Sequence, residues 1–226
     1  MKINSPKIVD IIPKGEGIGR ELKGVFVLKH AHPENIGVVE VEMRKVLDLA
    51  PSKCLVLPEG LKKYRTPENL YIDRFVEENK IVAADPIVSP YNADIAFAIK
   101  ESKKLAALAV LIDDVEFIYG LDVSHMSEDE SQKWLEIRLK VLAEHFDIKP
   151  NDIQNGLEQL EYLRINKGAE FKERIKLFST IRHKLISKSN QQSRKLLEAI
   201  LRINKQPRIF AFAGVEHEPV FIDSFV

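Results

Sequence analysis

The chain has 226 residues, with 34 Lys plus Arg against 34 Asp plus Glu and a single cysteine. Balanced charge argues against a dedicated nucleic-acid binder, which carries a basic excess, and a chain of this length buries roughly 70 % of its unfolded surface, so stability requires no disulfide or structural metal. No apolar run approaches the roughly 20 residues of a membrane span, and Lys2, Lys7 and Lys14 leave no secretory core at the N-terminus, so a soluble cytoplasmic protein is expected.

Ile8 to Ile12 is a β-branched run closed by Pro13 and reads as a strand. Gly15-Glu-Gly-Ile-Gly19 follows. A dinucleotide fingerprint needs a helix directly after its glycines, and here an apolar run resumes at Val25, so the glycines read as a loop. Val25 to Leu28 is a strand that stops at Lys29, His30, Ala31, His32 and Pro33. From Glu34 to Leu49, Ile36, Val39, Met43, Val46 and Leu47 recur at helical spacing between Pro33 and Pro51. Cys54 to Leu57 is a second apolar strand, stopping at Pro58, Glu59 and Gly60, and Cys54 within it is expected to be a buried, reduced thiol. A right-handed crossover between parallel strands is the economical topology.

Glu68 to Asn79 and Asn92 to Leu105 read as helices. Ala106 to Ile112 is continuously apolar, the pattern of a central strand buried on both faces, and ends at Asp113 and Asp114. Val115 to Tyr119 reads as a further strand or hairpin arm. Ser127-Glu-Asp-Glu130 places acid in a first helical turn, and Pro150 to Leu163, Lys172 to Ser187 and Ser193 to Ile203 continue the helical pattern, with no strand candidate between Met126 and Gln206. Ile209 to Ala213 returns to strand and leads into Gly214-Val-Glu-His-Glu-Pro219. The expected fold is therefore one α/β domain over residues 1–226: a mostly parallel or mixed sheet flanked by helices, with an all-helical insertion or cap at 126–206. Residues 182–208 carry a basic face without interleaved aromatics, which reads as a solvated surface paired with acids elsewhere.

The polar groups at strand ends are His30, His32, Glu59, Asp113 and His217, with Glu216 and Asp94 behind them. Strand ends of open α/β sheets are where ligands bind. Imidazole and carboxylate without thiolate suit Zn, Mn or a similar divalent ion, which can activate water for hydrolysis. The same residues are also ordinary helix caps and loop hydrogen-bonders, and both readings stay open on composition.

These residues also form an ordered set of short motifs. Val25-Phe-Val-Leu-Lys-His-Ala-His32 is similar to the strand plus Gly-Thr-x-His opening of the TraB/PrgY family, related to the TIKI and erythromycin-esterase-like proteins. Leu55-Val-Leu-Pro-Glu59 resembles its strand ending in glutamate, Asn92-Ala-Asp-Ile its Gly-Ala-Glu helix start, Val110-Leu-Ile-Asp113 its Leu-Ile-Asp-Arg strand, and Gly214-Val-Glu-His217 its second Gly-x-x-His. The resemblance implies His32 and His217 as metal ligands or catalytic bases, Glu59 as ligand or general base, and Asp113 as ligand or orienter of a histidine. It implies metal-assisted hydrolysis of a peptide, amide or ester in a small-molecule or peptide substrate.

Lys29 stands where that pattern has glycine, Asp114 where it has arginine, and Asp94 where it has glutamate. These departures support a rival reading: an inactive binding or regulatory protein on the same fold, with the helical insertion as a partner or homo-oligomer surface. The strand-Pro-Glu segment also resembles the carbon-nitrogen hydrolases. Their nucleophilic cysteine lies downstream of the glutamate, whereas Cys54 precedes Glu59.

Overall fold

The computed structural model describes residues 6–11, 20–27, 33–59, 67–119 and 128–225. They form two compact units, one built from residues up to Val88 together with Asn190–Val226, the other from Ser89–Ser189.

The first unit is the α/β part. Its strands are β1 (Lys7–Ile11), β2 (Glu21–Val27), β3 (Cys54–Pro58), β4 (Val82–Ala83) and β5 (Arg208–Gly214), and its helices are α1 (Pro33–Asp48), α2 (Pro67–Asn79) and α8 (Glu218–Phe225). The sheet order is β1-β2-β5-β3-β4. β1 pairs antiparallel to β2, and every other pair is parallel, so the sheet is mixed as expected. The strand from the far end of the chain is the centre of the sheet. β2 and β3 therefore do not touch: each lies against β5, and the expected strand-helix-strand unit spans one intervening position. β2 also begins at Glu21, earlier than the apolar run at Val25 suggests, because its first residues alternate with solvent and only Gly24 to Val27 is continuously buried.

Two apolar layers hold the sheet. On one face Val39, Met43 and Val46 of α1 and Ile72 and Val76 of α2 pack on Val25, Val56, Phe210 and Phe212. On the other, Val220, Phe221 and Phe225 of α8, with Leu197, pack on Leu22, Phe26, Leu55, Leu57 and Ala211. β3 and β5 are buried along nearly their whole length, as continuous apolar runs between two layers must be. Cys54 is buried and unpaired in a disulfide. Each fully buried Leu, Val or Phe contributes about 1.5–3 kcal/mol relative to exposure, so the twelve buried members of the α8-side layer are the principal favourable contribution there.

The second unit is helical: α3 (Ala93–Ala98), α4 (Lys103–Tyr119), α5 (Glu128–Phe146), α6 (Pro150–Asn166) and the first part of α7 (Gly168–Ile203), whose residues from Asn190 onward belong to the first unit. Two expectations are corrected. Ala106 to Ile112 and Val115 to Tyr119 are not strands but the body of α4. The run holds three Ala and two Leu, strong helix formers, and Ser102 starts it by accepting a hydrogen bond from the Leu105 N–H at 3.2 Å. Helices on several sides bury it all round, so no amphipathic period survives. The expected helix at Asn92 to Leu105 is interrupted, ending at Ala98 before Lys100, whose φ is 60°. The segments Lys172 to Ser187 and Ser193 to Ile203 are one continuous helix. Among the described residues, no helix is long and apolar enough to cross a membrane.

Candidate functional site

The parallel strands β2, β5 and β3 end together. Val27 is paired with Gly214 and Pro58 with Phe212, and the Glu59 N–H extends the ladder by donating to the Phe212 carbonyl at 2.8 Å. Glu59 is thereby fixed at the carboxyl edge, beside the residue where β5 turns away. A single 3-10 turn, Val215–His217, follows and hands the chain to α8.

Glu59 and His217 meet at this edge. Gly214 N–H donates to Glu59 Oε2 at 2.5 Å, and Glu59 Oε1 lies 3.4 Å from His217 Nε2. Both side chains are largely withdrawn from water, at 14 % and 3 % exposure, which strengthens the interaction beyond that of a surface pair. The other imidazole nitrogen is held from α7. His217 Nδ1 lies 2.6 Å from Asn190 Oδ1, and Asn190 Nδ2 donates to the Glu216 carbonyl at 2.9 Å. A carbonyl oxygen only accepts, so the Asn190 amide presents its nitrogen to Glu216 and its oxygen to His217. Nδ1 must then carry a proton, and Nε2 is the atom turned to Glu59.

Imidazole and carboxylate are donor types that divalent cations take. Ligands at about 2.0–2.2 Å from one ion in tetrahedral arrangement stand about 3.4 Å apart, the separation of His217 Nε2 and Glu59 Oε1. Two ligands do not complete a site. Among the described residues no group of three or more His, Cys, Asp or Glu converges.

The remaining sequence candidates fall as follows. Lys29, His30 and His32 lie outside the described residues, between the end of β2 and the start of α1. Glu216 is in the 3-10 turn, and its backbone carbonyl is the group Asn190 engages. Asp94 is exposed in the first turn of α3, in the helical unit, where Asn92 caps the helix by accepting from the Ile95 N–H at 2.8 Å. Asp113, expected at a strand end, is within α4 of the helical unit, and its side chain lies outside the described set.

Sequence reasoning missed Asn190. Ile186, Ser189, Ser193 and Leu197 follow one another along the buried side of α7, with Asn190 beside them. A polar break in an apolar helical stripe is the signal that could have found it. Ser193 is satisfied: its hydroxyl accepts from the Val88 N–H at 2.9 Å. The sequence also did not single out Asn35 and Glu68, in the first turns of α1 and α2. Both are buried, Asn35 Nδ2 donates to Glu68 Oε1 at 2.8 Å, and Glu68 Oε2 has no hydrogen-bond partner among the described residues. Of the basic run at 182–208, Lys184 pairs with Glu101, Arg194 with Asp223, Arg202 with Glu198 and Arg208 with Glu21.

The chain matches no protein-family model, no curated protein and no solved structure.

Proposed function

We propose that the chain is a TraB/TIKI-like metal-dependent hydrolase of peptide, amide or ester bonds, with its site at the carboxyl edge of the parallel strands. The observation that carries this reading is the 3.4 Å approach of His217 Nε2 to Glu59 Oε1, two groups from opposite ends of the sequence held with the spacing of ligands to one ion. In this reading His217 and Glu59 hold a Zn or Mn ion, and His32, which follows the β2 end paired with Gly214, is the third ligand. Such an ion, when bound, polarises a carbonyl and lowers the pKa of a bound water. The chain's own residues supply the rest. Gly214 N–H fixes one oxygen of Glu59, leaving the other to face His217. Burial of the pair keeps bulk water from screening it. Asp113 enters this proposal only through the family resemblance.

One observation favours the second reading, an inactive binding or regulatory protein. The element that resembles the family's Leu-Ile-Asp-Arg strand is the helix α4, so Asp113 does not stand at a strand end.

Metal analysis of protein purified without chelator and then exposed to Zn²⁺ or Mn²⁺ tests the choice. The hydrolase reading expects one tightly held divalent ion per chain that His32→Ala and His217→Ala each release. A wild-type chain that dialyses free of metal sinks that reading and leaves the binding protein.

A further inference from the structure

We infer that Asn190 is the positioning residue of the Glu59–His217 site, selecting which imidazole nitrogen carries the proton of the neutral ring. The inference deepens the proposed hydrolase reading and rests on it for its metal-binding arm.

A neutral imidazole left alone beside a carboxylate puts its single proton on the nitrogen nearer that carboxylate, which here is Nε2, 3.4 Å from Glu59 Oε1. That tautomer removes the lone pair with which Nε2 could bind an ion or accept a proton. Asn190 prevents it. Its amide is anchored through Nδ2 to the Glu216 carbonyl at 2.9 Å, so Oδ1 is fixed as an acceptor 2.6 Å from Nδ1. A Nδ1 without hydrogen would place two lone pairs against each other at that distance. Nδ1 therefore holds its proton in the neutral ring, which makes Nε2 the nitrogen whose lone pair an ion held beside Glu59 would take.

The anchoring is local and short-range. Glu216 immediately precedes His217, so the residue that orients the amide and the residue the amide orients move together on one 3-10 turn. Asn190 stands on α7 between two fully buried serines, Ser189 and Ser193. A histidine that ligates a metal generally donates its other ring N–H to such an acceptor, and loss of the acceptor lowers metal affinity about 10–100-fold.

The test combines ¹⁵N NMR of the imidazoles, with His217 assigned by its loss in His217→Gln, and titration with Zn²⁺ alone. In wild type Nδ1 is expected to carry the protonated, pyrrole-type signal with and without Zn²⁺. In Asn190→Leu the neutral ring is expected to move its proton to Nε2, and Zn²⁺ affinity to fall about 10–100-fold. Asn190→Asp, which keeps an acceptor for Nδ1–H but loses the donor to the Glu216 carbonyl, is expected to recover the Nδ1–H tautomer and part of the Zn²⁺ affinity, and guards against misreading a folding defect. A bare Nδ1 in wild type overturns the inference, and so does an Asn190→Leu chain that keeps Nδ1–H and full Zn²⁺ affinity. If wild type binds no Zn²⁺ but the tautomer follows Asn190 as described, the hydrolase reading fails and the positioning role stands.

Discussion

Gly214 and Glu59, 155 positions apart in the chain, are joined by a backbone N–H donating to a carboxylate oxygen at 2.5 Å. The bond closes the end of the sheet: Gly214 is the last residue of the central strand and Glu59 the first beyond its neighbour. The second carboxylate oxygen faces His217 Nε2 at 3.4 Å.

Structural and functional roles of Glu59 should therefore separate. Glu59→Ala removes the acceptor for Gly214 N–H and the partner of His217, and a charge-assisted bond of this kind contributes about 1.5–3 kcal/mol. Glu59→Gln keeps an oxygen for Gly214 and turns an amide donor toward His217. The expected result is a loss of about 1.5–3 kcal/mol in urea unfolding for the alanine variant and under about 1 kcal/mol for glutamine, and under the proposed hydrolase reading both variants would fail to retain a divalent ion. Equal stability losses in the two variants would show that the Gly214 bond is not the stabilising contact.

Asn35 and Glu68 give a prediction on the other face of the same sheet. Glu68 is 3 % exposed, accepts from Asn35 Nδ2 at 2.8 Å, and has no partner at Oε2 among the described residues. Asn35→Ala leaves the buried carboxyl group with neither oxygen bonded, a loss of about 1–3 kcal/mol. Asn35→Ala in a Glu68→Met background removes the polar partner as well, so its cost is expected to be smaller. The coupling is read from the four unfolding free energies of the double-mutant cycle; additive costs would contradict it.

The strand ends were legible in the sequence and their order was not. β3 and β5 are continuous apolar runs that stop at Glu59 and Gly214, so their polar ends could be placed at one edge from pattern alone. That the last strand enters between β2 and β3 depends on pairing between distant segments, which no local pattern carries. Ala106 to Ile112 misled because an apolar run buried all round looks alike as strand or helix; the Ser102 cap and the Ala and Leu content were the discriminating signs. Asn190 was hidden for a related reason, since its role arises from contacts with the 3-10 turn and not from its neighbours in sequence.

Alkaline pH should weaken the fold. Burial pushes the Cys54 thiol above its ordinary 9.0, and the Arg208 charge offsets only part of that. Burial alone would lower Lys23, but its ion pairs with Glu42 and Asp10 carry it above 10.5. Both groups hold their protons more tightly folded than unfolded. Their contribution is complete below about pH 9 and is lost as pH rises, because the unfolded chain releases these protons first; each fully differential proton gives about 1.4 kcal/mol per pH unit. Urea midpoints should be level from pH 7 to 8.5 and fall toward pH 10.5, with a shallower fall in Cys54→Ala. Native Cys54 should react with a thiol reagent only on unfolding, and rapid modification of the folded chain at pH 8 would contradict its burial.

Gly24 connects the core to the site. A Cβ there would lie 2.4 Å and 2.6 Å from ring atoms of Phe26, two positions along the same strand, so the missing side chain is what lets that ring lie back over β2. Phe26 is fully buried, and its ring centroid is 5.8 Å from that of Phe221 on α8, the helix that directly follows His217. Alanine at 24 must displace the Phe26 ring within this packed cluster, and overpacking of this kind costs about 1–3 kcal/mol. Gly24→Ala is therefore expected to lower the urea midpoint and to broaden the His217 imidazole signals, although residue 24 touches neither His217 nor Glu59 in the bonds that define the pair. Phe26→Leu in the Gly24→Ala background makes room for the added methyl, so the double variant should be less destabilised than the sum of the singles. Strict additivity, or a Gly24→Ala chain as stable as wild type, would mean that the ring yields without cost and that the core does not set the position of the 3-10 turn.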